Sequence, residues 1–205
     1  MRKEANAVPE FKNVSFSYGG KAVLKNFSLD IKSGEKTALL GVSGCGKTTL
    51  LHLTAGLYKP DSGKICGELG KCSFVFQENR LLPWYTSAEN LTAVGISPEK
   101  AAEYLLKTGL GGCENLLPEE LSGGMQRRLA IARALAFGGD SFFFDEPLQG
   151  LDPKTAEEIL TFIQSETAGK TVLLVTHSEA EADFLCERKI FLGGNPLEII
   201  NDIKK

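Results

Sequence analysis

The sequence is poor in the residues that build metal and disulfide sites. It has only two histidines, His52 and His177, and none of its five cysteines stands in a C-x-x-C pair. Structural zinc sites and disulfide frameworks depend on closely spaced ligands or on paired cysteines. We therefore expect neither a zinc site nor a disulfide scaffold.

The sequence also lacks a long apolar run and an excess of basic residues. A membrane-spanning helix needs about 18 to 20 apolar residues in a row, and no uncharged run of that length occurs. The first residues, MRKEANAVPEF, have no apolar stretch behind their basic pair, so no signal peptide is expected. The formal net charge of −3 does not support an overall electrostatic attraction to nucleic acid, although a local basic site stays open. A cytoplasmic protein without a nucleic-acid partner is expected.

Glycine is abundant, with 22 among 205 residues. Hydrophobic residues make up 42% and charged residues 24%, as is typical of soluble globular domains. A chain of this length removes roughly 70% of its unfolded surface from water, which is enough for a sizeable core. Because glycine weakens helices and strands, so many glycines indicate places where the backbone turns tightly or closely approaches another group.

Short apolar runs alternate with helical periodicity along much of the chain. Residues 36–40, 141–145 and 172–176 read as buried strands, and residues 47–57 read as a helix. This alternation predicts an α/β fold with a mostly parallel sheet. Behind the last strand, Ser178 and Glu181 have the spacing of a capping box.

Two other regions depart from this alternation. Residues 11–31 alternate like antiparallel β-structure, while residues 87–136 show helical patterns and no convincing strand. Ser97 and Pro98 have the residue types that begin a helix. We predict one domain over residues 1–205, with a catalytic core of residues 1–77 and 137–205 and an inserted helical subdomain of residues 78–136.

Residues 41–48, GVSGCGKT, fit the phosphate-binding pattern G-x-x-x-x-G-K-[ST] between a strand and a helix. Glycines let backbone N–H groups surround phosphate oxygens, and the helix directs its positive end to the same place. Lys47 would reach the β- and γ-phosphates, and Thr48 would bind Mg²⁺. The alternative is a glycine-rich turn that only begins a helix. The residues expected to bind nucleotide here are Ser43, Gly44, Cys45, Gly46, Lys47, Thr48 and Thr49.

The predicted strand 141–145 delivers two carboxylates at its carboxyl end, where ligands collect in open α/β sheets. Asp145 would hold Mg²⁺, directly or through water. Glu146 would orient or deprotonate an attacking water. The alternative is a solvated acidic turn ended by Pro147.

A second glycine pair precedes another helical stretch, in LSGGM at residues 121–125. Ser122 is a natural N-cap, and Gly123 and Gly124 allow close approach of the backbone. The pattern predicts a second helix N-terminus that suits an anion. A plain N-cap is the alternative.

The phosphate loop, LSGGMQRRLAIARAL, SFFFDEP and a histidine after VLLVT occur in this order. From about residue 11 to its end, the sequence resembles the ATPase subunits of ABC transporters. The resemblance implies a P-loop NTPase core, ATP and Mg²⁺ as cofactors, and ATP hydrolysis. It also implies that Tyr18 stacks on adenine and that Gln77 contacts Mg²⁺ and links the core to the helical subdomain. By the same resemblance His177 contacts the γ-phosphate and Glu146; for Tyr18 and His177 a core position is the alternative.

The resemblance also implies partners. In that family two ATPase subunits form a head-to-tail dimer. The segment Ser122–Gly124, here called the Ser122 nest, of one subunit would then close on the nucleotide at Lys47 of the other. Asp152 would lie in the loop that crosses the interface. Residues 77–91 resemble importers of nitrate, sulfonates and taurine. A membrane permease, a solute-binding protein and a position on the inner face of the membrane follow as expectations. Trp84 would be either an exposed anchor for the permease or a residue of the subdomain core.

Two other functions are alternatives to transport. A soluble ABC-type ATPase in nucleic-acid maintenance or protein assembly would need a coiled-coil insertion, a zinc hook, a basic face or a second ATPase domain, and the sequence has none. A nucleotide-binding module without turnover is opposed by the presence of Lys47, Asp145, Glu146 and His177. Phosphate release distinguishes this last alternative.

Overall fold

The computed structural model describes residues 9–67 and 69–205. Most of the segment 1–11, for which no signal peptide is expected, lies outside the described residues. The β-strands are β1 Glu10–Tyr18, β2 Lys21–Asp30, β3 Lys36–Gly41, β4 Ser62–Cys66, β5 Cys72–Val75, β6 Ser141–Asp145, β7 Thr171–Val175, β8 Arg188–Gly193 and β9 Glu198–Lys204. The α-helices are α1 Lys47–Thr54, α2 Ser87–Thr92, α3 Pro98–Lys107, α4 Gly123–Phe137, α5 Pro153–Glu166 and α6 Glu179–Leu185.

The chain divides into two compact units. The first contains the described residues up to Cys72 together with Asp140–Asp145 and Gly169–Lys205. The second contains Ser73–Gly139 and Glu146–Ala168. The predicted helical subdomain, residues 78–136, falls inside the second unit, and its boundaries stay a prediction.

In the first unit, an antiparallel sheet has the strand order β2-β1-β4. Its inner face is apolar, with Phe11, Val14, Leu24 and Phe27 buried. The antiparallel structure predicted for residues 11–31 is therefore present. Strand β4 was not predicted, because its sequence SGKIC is short and mostly exposed.

A second sheet of the first unit has the order β6-β7-β3-β8-β9. The strands from β6 to β8 are parallel, and β9 is antiparallel to β8. Every residue of β6 and β7 is buried, which explains their continuous apolar sequences, since a parallel sheet is covered on both faces. The predicted α/β fold with a mostly parallel sheet is confirmed.

Helix α1 packs against β3, β6 and β7. It ends at Thr54 rather than at residue 57 as predicted, because Gly56 has a φ of +71° and turns the chain out of the helix. The predicted capping box before α6 forms only in half. The Ser178 hydroxyl accepts the N–H of Glu181, but the Glu181 carboxylate instead accepts the hydroxyl of Thr176 at 2.6 Å.

The second unit is largely helical, as predicted for residues 87–136. Helix α3 packs against α2 and α4, and α4 packs against α5. Each of these helices begins at a residue whose side chain accepts the backbone N–H three residues on; these residues are Thr86, Ser97, Ser122 and Asp152. Among all residues that the structure describes, none of the helices is both long and apolar enough to span a membrane.

Candidate active site

The phosphate loop joins β3 to α1 in the first unit. Gly46 caps α1 with a φ of +115°, and the buried Lys47 side chain lies back across the loop. Its Nζ donates to the carbonyls of Gly41 at 2.8 Å and Val42 at 3.0 Å. The ammonium group is therefore held at the loop that the sequence pattern assigns to phosphate.

Two glycines of the loop are required by space. A Cβ on Gly41 would lie 2.1 Å from the carbonyl oxygen of Leu192, and one on Gly46 would lie 2.8 Å from Cγ1 of Val23. Both contacts are with the protein itself, so packing requires glycine at these two positions. The Lys47 ammonium held at the loop fits a bound phosphate chain. Within the loop, Ser43 and Gly44 are exposed, while the Cys45 side chain is buried.

The register of the sheet brings further predicted residues to the same edge. Val175 pairs with Leu39 on one side and with Asp145 on the other, so the carboxyl ends of β3, β6 and β7 are level. Two residues beyond Val175, the His177 Nε2 lies 3.3 Å from the Ser43 hydroxyl, across 134 residues of sequence. The structure thus brings the phosphate loop, the end of β6 and His177 together.

The residues predicted to bind Mg²⁺ in the first unit are Thr48, in the first turn of α1, and Asp145, at the end of β6. Asp145 is only 1% exposed. A hydroxyl and a carboxylate are hard oxygen donors, which Mg²⁺ prefers. The described residues contain no group of three or more His, Cys, Asp or Glu side chains that could hold a metal ion.

Tyr18 ends β1 and is 47% exposed, which excludes the alternative of a core tyrosine. Its ring packs edge-on against Phe16 at 4.9 Å and Tyr58 at 5.9 Å between centroids. Burial and a hydrogen bond with Tyr58 raise the pKa of the Tyr18 hydroxyl, and a hydrogen bond with Thr49 opposes them. The exposed ring is accessible, and its stacking on adenine stays a prediction.

Two predicted catalytic residues lie in the second unit. Gln77 is exposed after β5, and Glu146 is half-buried after β6. Glu146 has a φ of +48°, a left-handed conformation that costs a residue with a side chain about 1–2 kcal/mol. Strain of this kind persists only where surrounding contacts hold it, and it is concentrated at functional sites.

The contacts that hold these two residues come from Arg127, which donates to the carbonyls of both Gln77 and Glu146. Sequence reasoning did not assign Arg127 this role. Its acceptors are main-chain carbonyls far away in the chain, and these leave no signal in the residue types.

The second glycine nest lies at the start of α4. The exposed Ser122 hydroxyl accepts the N–H of Met125 at 3.3 Å, so the simple N-cap role is present. Gly123 has open space around it, and a Cβ on Gly124 would make only ordinary contacts. The anion-binding role of Ser122, Gly123 and Gly124 stays a prediction.

Trp84 is 88% exposed in a turn before α2. This exposure excludes the alternative in which it seals the core of the helical region. The Asn90 side chain stabilises this turn, because it accepts the N–H of Leu82 and donates to the carbonyl of Tyr85.

The sequence is similar to characterised proteins along most of its length. The family model described as ABC transporter matches residues 24–149. The chain is 37% identical over 195 residues to the aliphatic sulfonates import ATP-binding protein SsuB 2 of Pseudomonas syringae pv. tomato, covering 91% of this chain and 83% of the relative. It is 40% identical over 201 residues to the taurine import ATP-binding protein TauB of Yersinia pestis, covering 89% of this chain and 78% of the relative.

Solved structures agree with this similarity. A dimeric structure of a bacterial ABC transporter cassette has a TM-score of 0.85 and 33% sequence identity, covering 96% of this chain and 98% of that one. A dimeric post-hydrolysis state of an ATP-binding cassette with ADP and Pi matches with the same values. Together with the phosphate loop and the residues gathered at the sheet edge, these similarities show that the chain belongs to the ABC transporter family and is an ATP-binding, ATP-hydrolysing subunit.

Proposed function

We propose that this ATPase works with Mg²⁺ on the inner face of the cell membrane and energises the import of a small sulfonate such as taurine or an alkanesulfonate. The observation that carries the catalytic part is the 3.3 Å approach of His177 to Ser43 at the sheet edge that also holds Lys47 and Asp145. The choice of solute is supported by the relatives named for import of aliphatic sulfonates and of taurine.

The first unit binds and orients the nucleotide. The backbone of the loop and the Lys47 ammonium surround the phosphates, and the exposed face of Tyr18 stacks on the adenine. Thr48 and Asp145 would supply oxygen ligands to a bound Mg²⁺, and the family resemblance alone adds Gln77 as a further ligand. The ion would supply positive charge that offsets the charge of the phosphates.

Hydrolysis needs a water in line with the γ-phosphate and stabilisation of the charge that develops. Glu146 orients or deprotonates this water, and His177 contacts the γ-phosphate from the end of β7. The left-handed backbone at Glu146 supports its assignment, since a strained residue is retained where function requires its position.

The partners follow from the same proposal. A second copy contributes its Ser122–Gly124 nest to the nucleotide in a head-to-tail dimer. A membrane permease docks on the helical region, for which the exposed Trp84 is a suitable anchor. A solute-binding protein delivers the solute outside the cell, and no nucleic acid takes part.

The catalytic assignment is tested by Glu146→Gln. This variant keeps the size of the side chain but removes its charge, so it is expected to bind Mg-ATP, lose phosphate release and accumulate as an ATP-bound dimer in size-exclusion chromatography. Glu157→Gln makes the same chemical change at an exposed position of α5 and should behave as wild type. Wild-type phosphate release by the Glu146 variant would remove Glu146 from this role.

The solute is tested by uptake. Cells that lack this gene, complemented with wild type or with Glu146→Gln, are supplied with labelled taurine and labelled ethanesulfonate. Uptake of at least one should require the wild-type chain. If neither depends on it while ATP hydrolysis is intact, the sulfonate assignment fails. If no membrane partner is found either, the function as a soluble ABC-type ATPase would be favoured over a function in transport.

A further inference from the structure

Arg127 lies in α4, one turn after the Ser122 cap, and its side chain is buried at 4% exposure. On one side its Nη1 donates to the carbonyl oxygens of Phe76 at 2.5 Å and Gln77 at 3.2 Å. These carbonyls belong to the segment that leaves β5 and carries Gln77. The guanidinium therefore holds the backbone of that segment from inside the second unit.

On its other side the same group holds a second segment of the same unit. Its Nη2 donates to the carbonyl oxygen of Glu146 at 2.6 Å, and its Nε donates to that of Pro147 at 2.8 Å. The peptide between Glu146 and Pro147 follows the residue whose φ is +48°. Because the Glu146 and Pro147 carbonyls belong to two successive peptides, bonds to both restrict the rotation of those peptides and hold the backbone that directs the Glu146 side chain.

Only arginine suits this bridge. Its planar guanidinium presents five N–H donors in a rigid fork and keeps its charge when buried, whereas lysine offers three donors from a single point. Arg127 binds four main-chain carbonyls, and the three donors of a lysine cannot replace all four bonds. The neighbouring Arg128 has a different task, since its Nη1 donates to the carbonyls of Thr108 and Gly109 at the end of α3.

We propose that Arg127 is a positioning residue for ATP hydrolysis: it joins the segments of Gln77 and Glu146 to α4, so that both residues and the Ser122 nest share one rigid support. This inference rests on the catalytic roles proposed above for Gln77 and Glu146. It assigns the rate of hydrolysis, rather than the affinity for ATP, to a buried side chain that binds main-chain carbonyls.

The test compares Arg127→Lys with Arg128→Lys. Both exchange an arginine that donates to main-chain carbonyls for a lysine on the same helix, and Arg127 is buried whereas Arg128 is half-buried. In Arg127→Lys we expect kcat for ATP hydrolysis to fall about 10- to 100-fold, because small misplacements of catalytic groups have effects of that order. The KM for ATP should stay within about threefold, since ATP binding is assigned to the phosphate loop and Tyr18. Arg128→Lys should keep kcat within about twofold, even if its melting temperature falls as much as that of Arg127→Lys.

Three results would overturn the inference: wild-type kcat in Arg127→Lys, an equal loss of kcat in Arg128→Lys, or a rise in KM without a fall in kcat. If Arg127→Lys does not fold, Arg127→Gln replaces it, and failure of both to fold while Arg128→Lys folds would show a purely structural role. Glu146→Gln is assayed in parallel. If it retains turnover, the proposed catalytic role fails; if it is inactive while Arg127→Lys is fully active, only the present inference fails.

Discussion

The left-handed backbone of Glu146 predicts that this residue lowers the stability of the protein. A residue with a Cβ loses about 1–2 kcal/mol in this conformation, and glycine adopts it without that cost. Glycine also makes the unfolded chain more flexible, which offsets about 0.5–1 kcal/mol. Glu146→Gly should therefore be more stable than Glu146→Gln by about 0.75 kcal/mol, the difference between the midpoints of these two ranges. Both variants lack the carboxylate, and only glycine removes the backbone strain.

Thermal unfolding measures the difference. For a chain of 150–250 residues, 1 kcal/mol shifts the melting temperature by about 2–4 °C, so Glu146→Gly should melt about 1–4 °C above Glu146→Gln. Both variants should lack ATP hydrolysis. The strain would then be a cost in stability that is retained for catalysis.

Glu157 supplies the control, because it is exposed within α5 and has helical backbone. There Glu157→Gly should be less stable than Glu157→Gln by roughly 1 kcal/mol, since glycine is unfavourable inside a helix. The order of the two variants therefore reverses between the sites. If Glu146→Gly melts at or below Glu146→Gln, the conformation at Glu146 carries no strain and the reasoning is refuted.

Two further predictions concern the first unit. Tyr18→Ala should weaken ATP binding about 5- to 100-fold in an equilibrium titration, because stacking of a base on an aromatic ring contributes about 1–3 kcal/mol; Tyr18→Phe should stay near wild type, and equal affinities of all three proteins would exclude stacking. The hydrogen bond from Arg188 lowers the pKa of the Asp202 carboxyl, so this pair stabilises the fold at neutral pH. The pKa of this carboxyl in the unfolded chain is about 4, and the stabilisation is lost as the pH falls from there through the lowered pKa of the folded protein. The urea midpoints of wild type and Asp202→Asn should differ at pH 7 and converge in acid, and a gap that is independent of pH would contradict this.

Local sequence determined the parts of the site whose chemistry is contiguous. The eight residues of the phosphate loop carry their own signal, because glycines, lysine and threonine act through adjacent backbone and side-chain groups. The same holds for the strand 141–145, whose bounds are confirmed, and for the caps at Ser97 and Ser122, where a side chain binds a backbone group three residues away.

Predictions failed where the folded chain gave a group a partner other than the one its local pattern indicates. The Glu181 carboxylate has the spacing to complete a capping box, but the Thr176 hydroxyl reaches it in the folded chain. Strand β4 has little apolar character of its own and exists because β1 offers it a free edge. Propensity is a weak prior, and contacts made in the folded protein override it.

The sequence by itself determined the family, the phosphate loop and the alternation of strands and helices that gives the fold class, because each of these depends on residues close together in the chain. Only the tertiary structure decided that His177 meets Ser43, that Tyr18 and Trp84 are exposed, and that one buried arginine holds the segments of both Gln77 and Glu146. The physical reason is that these contacts join main-chain or side-chain atoms from distant segments. Their energies depend on distance and burial after folding, which residue types and their spacing do not specify.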